Sequence, residues 1–308
     1  MSTAVEAAVA ELGALAQRDV PLGPMTTYRV GGSAAVFVRV DKADQLGAVA
    51  RARAASALPM LVVGRGSNLL VANGGFDGIA VQLGDFVDRI DIDEHTSVVT
   101  AGAAVRLPVL ARRTAAAGLA GFEWAVGVPG SIGGAVRMNA GGHGSDMAAS
   151  LLDADVADLG TDGTVHRLGT DDLHLRFRGS GLTSTDAVVS ARLRLRPGDV
   201  DASEAMVKEI VAWRRAHQPG GQNAGSVFVN PVPGEVSAGQ LVDDCGLRGH
   251  RIGSAYVSEI HANFIQSDDA GSADDVVRLM RHVREVVLDR TGYALRSEIR
   301  LIGFGEPW

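Results

Sequence analysis

The chain has little lysine, a single cysteine and no long apolar run. Only Lys42 and Lys208 are lysines, so arginine carries nearly all the positive charge. In a chain so rich in Ala and Gly this is a compositional bias and assigns no function. Acidic residues outnumber basic ones, 36 to 29, and the net charge of −7 with a pI near 5.6 argues against a surface built for phosphate backbones or anionic lipid. Nucleic acid is therefore not an expected partner. A lone Cys245 excludes an intramolecular disulfide, and its apolar neighbourhood, Gln240 to Cys245, reads as a small buried thiol. Every apolar run is interrupted by charge well short of the roughly twenty residues that a membrane helix needs. Glu6 and Glu11 stand where a secretory signal would carry Lys or Arg, so a cytoplasmic protein with no membrane segment is expected. No His, Cys and carboxylate cluster has ligand spacing, and His250 and His261 are isolated, so no metal is expected.

What is present is a folding chain: 308 residues and 46% hydrophobic content suffice for two or three domains, each with its own core. Ala43 to Ala55 reads as helix, Met60 to Val63 and Ile79 to Leu83 as strands, and Val87 to Gly102 as two half-buried strands. Helical spacing returns over Val105 to Ala117 with Arg106, Arg112 and Arg113 outward. Strands follow at Leu151 to Leu159 and Ala187 to Leu195. The segment LRPGDVDASE, 193 to 202, mixes Pro, Gly and acids and marks the expected domain boundary. Beyond it, Ser272 with Asp275 suggests a capping box, Val276, Met280, Val283 and Val287 share one helix face, and Gly292 supplies the stop. LRSEIRLIGF then reads as a final strand. No internal repeat is found, and the mixture indicates an α+β fold rather than a doubly wound parallel sheet.

Two glycine clusters carry the chemistry. VGRGSNLLV, Val63 to Val71, follows an apolar strand; Gly64 and Gly66 allow a tight turn whose N–H groups can converge on an anion such as a diphosphate, with Ser67 and Asn68 as uncharged donors. An ordinary turn is the alternative reading. It is not the three-glycine dinucleotide fingerprint. GVPGSIGGAVRMNAGGHG, Gly127 to Gly144, packs seven glycines and a proline into eighteen residues, at considerable conformational cost. A planar ring recognised by main-chain groups would require such bare backbone; a long Ω-loop is the alternative.

These clusters, with MTTYRVGG (Met25 to Gly32) before them and NAGSVFVNP (Asn223 to Pro231) and LRSEIRLIG (Leu295 to Gly303) after them, resemble the UDP-N-acetylenolpyruvoylglucosamine reductase (MurB) family. The matches run in family order from about residue 20 to residue 303. The compact stretch Ala238 to Gln266 resembles the shorter, type II form. The resemblance implies two FAD-binding parts of the vanillyl-alcohol-oxidase type, placed at 1–85 and 86–199, and a C-terminal α+β substrate-binding domain at 200–308 whose last strand packs back on the FAD region. It implies FAD as cofactor and NADPH as cosubstrate, with the nicotinamide and the UDP-sugar using one cleft in turn, and no obligate protein partner. Hydride passes from flavin N5 to the terminal enolpyruvyl carbon, and a proton reaches the adjacent carbon.

Residue by residue, the resemblance assigns catalysis to Ser226 as proton donor, Arg178 in LRFRGSGL as the clamp on the developing enolate, and Glu298 as the group assisting at the carboxylate. FAD binding is assigned to Tyr28 and Arg29, to Gly64, Arg65, Gly66, Ser67, Asn68 and Leu69, and in the second cluster to Gly127, Pro129, Gly130, Ser131, Gly133, Gly134, Asn139 and Gly141. Asn230 is expected to bind substrate. Three departures from the family pattern stand out: Phe177 replaces a tyrosine, Gly142 and His143 replace an Ala-Tyr pair, and Val229 stands where many relatives carry lysine. Arg214 and His217, with Arg215 between them, are the candidates to supply the missing charge to the substrate.

Overall fold

The computed structural model describes residues 3–305. The chain forms two compact units, and both are assembled from separated segments: Met1–Asp19, Ala35–Arg65 and Asp77–Arg214 in the first, Val20–Ala34, Gly66–Phe76 and Arg215–Trp308 in the second.

In the first unit a five-stranded antiparallel sheet runs in the order Val165–Gly169, Leu151–Asp158, Asp186–Arg194, Val98–Gly102, Ile90–Asp93. One face buries Val99, Ala101, Ala154, Ala191 and Leu193 against the helix Leu107–Ala116 and the rings of Phe122 and Trp124. Charges cover strand residues elsewhere. The Asp153 and Asp155 carboxylates pair across the strands with Arg192 and Arg167, and Ser190 Oγ donates to Asp155 at 2.8 Å. Cross-strand pairs of opposite charge support the register, and the pairing compensates the burial of the Asp153 carboxylate. A second sheet, in the order Ala16–Pro21, Ser33–Val40, Phe76–Leu83, Met60–Val62, ends in a parallel pair, Met60 beside Ile79, and packs with the helices Thr3–Leu12 and Leu46–Ser56. The Pro/Gly-rich stretch near 193–202 does lie between a strand and the helix Val200–His217, but most of that helix belongs to the first unit. Val207 and Ile210 enter its core, and Ser203 Oγ donates to the buried Glu123 carboxylate at 2.7 Å.

The second unit is built on the helix Ala273–Thr291, whose Val276, Met280, Val283 and Val287 are all wholly buried. They pack with the helix Ala238–Asp244 and a three-stranded meander, Arg251–Ile252, Ala255–Val257 and Ile265–Ser267. Two expectations are corrected here. Ser272 occupies the N-cap position but makes no side-chain cap bond: its Oγ accepts from Asn73 Nδ2 at 2.7 Å, and Asp275 turns to Ser254, accepting from its N–H and its hydroxyl. Asn73 caps instead, its Oδ1 taking the Ala273 N–H at 3.1 Å, a partner that local spacing cannot show. The last strand is broken: Arg296–Ser297 pairs antiparallel with Phe228–Val229, Arg300–Ile302 pairs parallel with Leu69–Val71, and Glu298 sits in the break. Gly292 stops the helix as expected, at φ +75°.

Candidate active site

Site residues fall into both units, and the boundary passes through the first glycine loop between Arg65 and Gly66. Within the second unit the loop Gly66–Leu69 is fixed from below. Gly66 has φ +59°, and a Cβ there would overlap the Met25 carbonyl oxygen and stand 2.6 Å from Thr26 Cα. Only glycine fits, for a reason internal to the protein. The Gly66 carbonyl accepts the Thr27 N–H at 3.3 Å. Tyr28 is fully buried, its hydroxyl donating to the Ile265 carbonyl at 2.9 Å, and burial pushes its pKa well above the usual value. It anchors its segment, while Arg29 beside it is exposed at φ +55°.

The same unit brings two of the three proposed catalytic residues together. Phe228 pairs with Ser297 and Val229 with Arg296, so the register sets Glu298 against Val227, one residue from Ser226. The Glu298 N–H donates to the Val227 carbonyl at 2.8 Å. Asn68 holds the other side: its Nδ2 donates to the Glu298 carbonyl at 3.1 Å and its own carbonyl accepts the Arg300 N–H at 3.0 Å. The Asn68 side chain is thus tied to the Glu298 backbone. Asn230 is exposed and its Oδ1 accepts the Ala238 N–H at 3.0 Å, at the start of a helix; His217 is exposed.

In the first unit Gly64 lies beside the second cluster: a Cβ on it would meet Ser131 Oγ at 3.2 Å. Arg65 is exposed. Gly127 and Gly133 are held by close neighbours, Ile210 and His143 for one and Ala103 for the other, and Gly141 lies against Ser145 and Asp146. Gly130 has φ +128°, and its carbonyl accepts the Leu107 N–H at 3.2 Å; Pro129 before it is exposed. Gly134 differs from these, being exposed with nothing within 4 Å of a Cβ. Asn139, in a left-handed conformation after the helix Ile132–Met138, is buried and organises the loops. Its Nδ2 reaches Asp146 Oδ2 at 3.1 Å and the Arg176 carbonyl at 3.2 Å, and its Oδ1 accepts the Ala148 N–H at 2.9 Å.

Arg178 is placed by that network. Arg176 and Gly179 exchange backbone hydrogen bonds of 2.9 and 3.0 Å, closing a two-residue turn with Phe177 and Arg178 at its tip. Arg178 adopts φ +54°, a conformation that arginine enters only when its surroundings impose it. Ser180 Oγ donates to the Arg137 carbonyl at 2.8 Å, tying the turn to the glycine helix. The exposed Phe177 ring lies 5.1 Å from the Arg178 guanidinium, so the ring that replaces tyrosine still packs on the cation. Arg214 turns inward: its guanidinium donates to the Gly127 carbonyl, and burial lowers its pKa. Beside it Trp213 meets His143 edge-on at 5.0 Å. Sequence reasoning missed Thr27, whose buried Oγ1 has no hydrogen-bond partner, and Asn263, whose contacts join distant segments. Trp124 Nε1, close in sequence to the second cluster, is likewise buried without a partner.

Within the first unit, open backbone at Gly134, the orphaned Trp124 Nε1 and a glycine turn after a strand suit a large planar cofactor. Residues 34–169 match the family model described as an FAD binding domain, and residues 217–302 match UDP-N-acetylenolpyruvoylglucosamine reductase, C-terminal domain. The protein is thus an FAD-dependent oxidoreductase with an α+β fold. The reductase of Synechococcus sp. (strain RCC307) is 43% identical over 93% of this chain and 94% of its own, and that of Heliobacterium modesticaldum is 43% identical over 92% and 89%. A crystal structure of the reductase from Thermus caldophilus, 32% identical, superposes with a TM-score of 0.80 over 93% of this chain and 98% of the other. The chain belongs to the UDP-N-acetylenolpyruvoylglucosamine reductase family. It reduces the enolpyruvyl UDP-sugar of peptidoglycan precursor synthesis, using FAD and a nicotinamide cosubstrate. No helix among the described residues is long and apolar enough to cross a membrane.

Proposed function

We propose that the chain works in the cytoplasm with NADPH as its reductant, that NADPH and the UDP-sugar occupy the same site in turn, and that Ser226 is the proton donor. The observation that supports the Ser226 assignment is the strand register that sets Glu298 against Val227, beside Ser226. In functional terms the parts are FAD-binding over 1–85 and 86–199 and substrate-binding over 200–308. Backbone of the Gly64–Leu69 loop and of the Gly127–Gly141 stretch would hold FAD, and a Cβ on Gly134 would meet no protein atom within 4 Å. FAD, when bound, carries hydride from NADPH to the substrate.

The residues of the chain supply the rest. As the enolpyruvyl double bond opens, a C–H bond forms at the terminal carbon and the electron pair moves towards the carboxylate as an enolate. Arg178, a fixed cation on a strained turn, stabilises that charge. Glu298 assists at the carboxylate. Ser226 Oγ–H gives its proton to the carbon beside the carboxylate, completing the second C–H bond, and the serine is reprotonated from water. A hydroxyl is a weak acid, so this step needs a strongly basic carbon and little competing water. Asn230 is a proposed substrate contact, and Arg214 and His217, with Arg215 between them, are the proposed source of the charge that the lysine absent at Val229 would have supplied.

Ser226→Ala tests the assignment, because the reaction divides into flavin reduction by NADPH and reoxidation by the enolpyruvyl substrate. Stopped-flow absorbance follows the halves separately. Bleaching by NADPH should keep its normal rate, while reoxidation falls by about a hundredfold to ten-thousandfold. Equal slowing of both halves, or normal reoxidation, would place the proton elsewhere, with Glu298 the next residue to replace.

A further inference from the structure

We infer that Asn263 is a positioning residue for Ser226, bracing the backbone of the segment that carries the serine; the inference rests on the proton-donor reading above. Phe228–Val229 and Arg296–Ser297 form a two-stranded sheet. One edge of the serine-bearing segment therefore has no strand beside it, and Asn263 takes the backbone groups there. Its Oδ1 accepts the Phe228 N–H at 2.9 Å, its Nδ2 donates to the Phe228 carbonyl at 2.8 Å, and its main-chain carbonyl accepts the Val227 N–H at 2.8 Å. One residue thus takes the N–H groups of both Val227 and Phe228 and the Phe228 carbonyl. At 4% exposure these bonds are shielded from water and costly to lose.

Asn263 is itself held. Its N–H donates to His261 Nδ1 at 3.2 Å, and the hydroxyl of Ser258, 1% exposed, accepts the N–H groups of Ile260 and His261 at 3.1 and 3.4 Å. On the other side the Val227 carbonyl takes the Glu298 N–H at 2.8 Å. The residue preceding Ser226, Gly225, has φ +78° and nothing within 4 Å of a Cβ, so the turn leading into the serine gains no rigidity from packing there. Before the serine the Gly225 N–H donates to Asn223 Oδ1 at 3.0 Å and Ala224 is buried in the core; after it Val227 and Phe228 are held by Asn263 on one side and by Glu298 on the other, so Asn263 is one of the anchors that fix Ser226. A proton donor displaced by about 1 Å loses on the order of a hundredfold in rate.

The test compares Asn263→Ala and Asn263→Asp with Ser226→Ala in the FAD-loaded full chain. Aspartate keeps the size and the acceptor but removes the Nδ2 donor, so it guards against a variant that fails to fold. Both Asn263 variants should retain FAD and be bleached by NADPH at the normal rate. Reoxidation by the enolpyruvyl substrate should slow by about ten- to a hundredfold in Asn263→Ala and less in Asn263→Asp. The solvent deuterium isotope effect on reoxidation should rise, because proton delivery becomes more limiting; a loss of overall stability would not raise it. Normal reoxidation in both Asn263 variants alongside slow reoxidation in Ser226→Ala overturns the inference and leaves the proton-donor reading standing. Parallel decline of both halves in Asn263→Asp, with FAD loss, makes the residue structural and overturns it as well. Normal reoxidation in Ser226→Ala overturns the reading and the inference with it.

Discussion

At Gly66 a Cβ would collide with the Met25 carbonyl, whereas at Gly134 it would meet no atom within 4 Å. Both glycines sit in the clusters that mark this chain as a cofactor binder, and the sequence alone supplies one reason for both, the approach of a ligand to bare backbone. The structure separates them. Gly66 is required by the protein's own backbone, in a turn that is left-handed and pressed against Met25 and Thr26. Gly134 sits in a short helix, where an alanine would be the better helix former, so its presence has no internal cause. The comparison teaches that glycine density reports a backbone constraint without saying whether the constraint comes from the fold or from what binds.

Replacing each glycine with alanine would break the comparison or sharpen it. Gly66→Ala should have the largest effect, losing about 3 kcal/mol or more from backbone strain and overlap, seen as a large drop in the thermal midpoint and poor soluble yield. A midpoint equal to that of the parent would mean that the Met25 turn yields easily. Gly134→Ala should leave the apoprotein as stable or about 0.5–1 kcal/mol more stable, yet weaken FAD binding enough that purified protein loses its yellow colour. Stoichiometric FAD in that variant would remove the helix from the cofactor site. Asn139→Ala comes next, because three side-chain hydrogen bonds join the glycine cluster to the Arg178 turn and to residues 146–148. A loss of about 2–3 kcal/mol in denaturant unfolding, with slower flavin reoxidation as Arg178 loosens, is the expected pair of results. A stability loss with no change in reoxidation would separate Asn139 from the Arg178 turn. Gly64→Ala should be the mildest: its Cβ would press only on the Ser131 hydroxyl at 3.2 Å, so a change within about 0.5 kcal/mol is expected by calorimetry.

The candidate site was proposed from residues that are local in the chain. The strand-then-glycine turn at Met60–Leu69, the Gly127–Gly144 stretch and the positions of Ser226, Arg178 and Glu298 all belong to short motifs. The long-range protein partners of several of these side chains were not legible. Asn68 and Asn139, expected to touch the cofactor, have their amides on the Glu298 carbonyl and on the loops around Arg176. Arg214, expected at the substrate, directs its guanidinium to the Gly127 carbonyl. The Ser272–Asp275 capping box did not form: Ser272 Oγ accepts from Asn73 Nδ2, and the Asp275 carboxylate accepts from Ser254, about twenty residues earlier.

The sequence by itself determined the α+β class, the glycine turns, the face of the helix Ala273–Thr291 and its stop at Gly292, since periodicity, left-handed φ and capping are properties of neighbouring residues. Only the tertiary structure decided that the first glycine loop straddles two compact units, that Glu298 lies against Val227, and that Asn263 and Asn73 complete a strand edge and a helix start. Those pairings join residues between 35 and 200 positions apart. A polar side chain there has many possible partners in the sequence, and the packing of the core selects which one it meets.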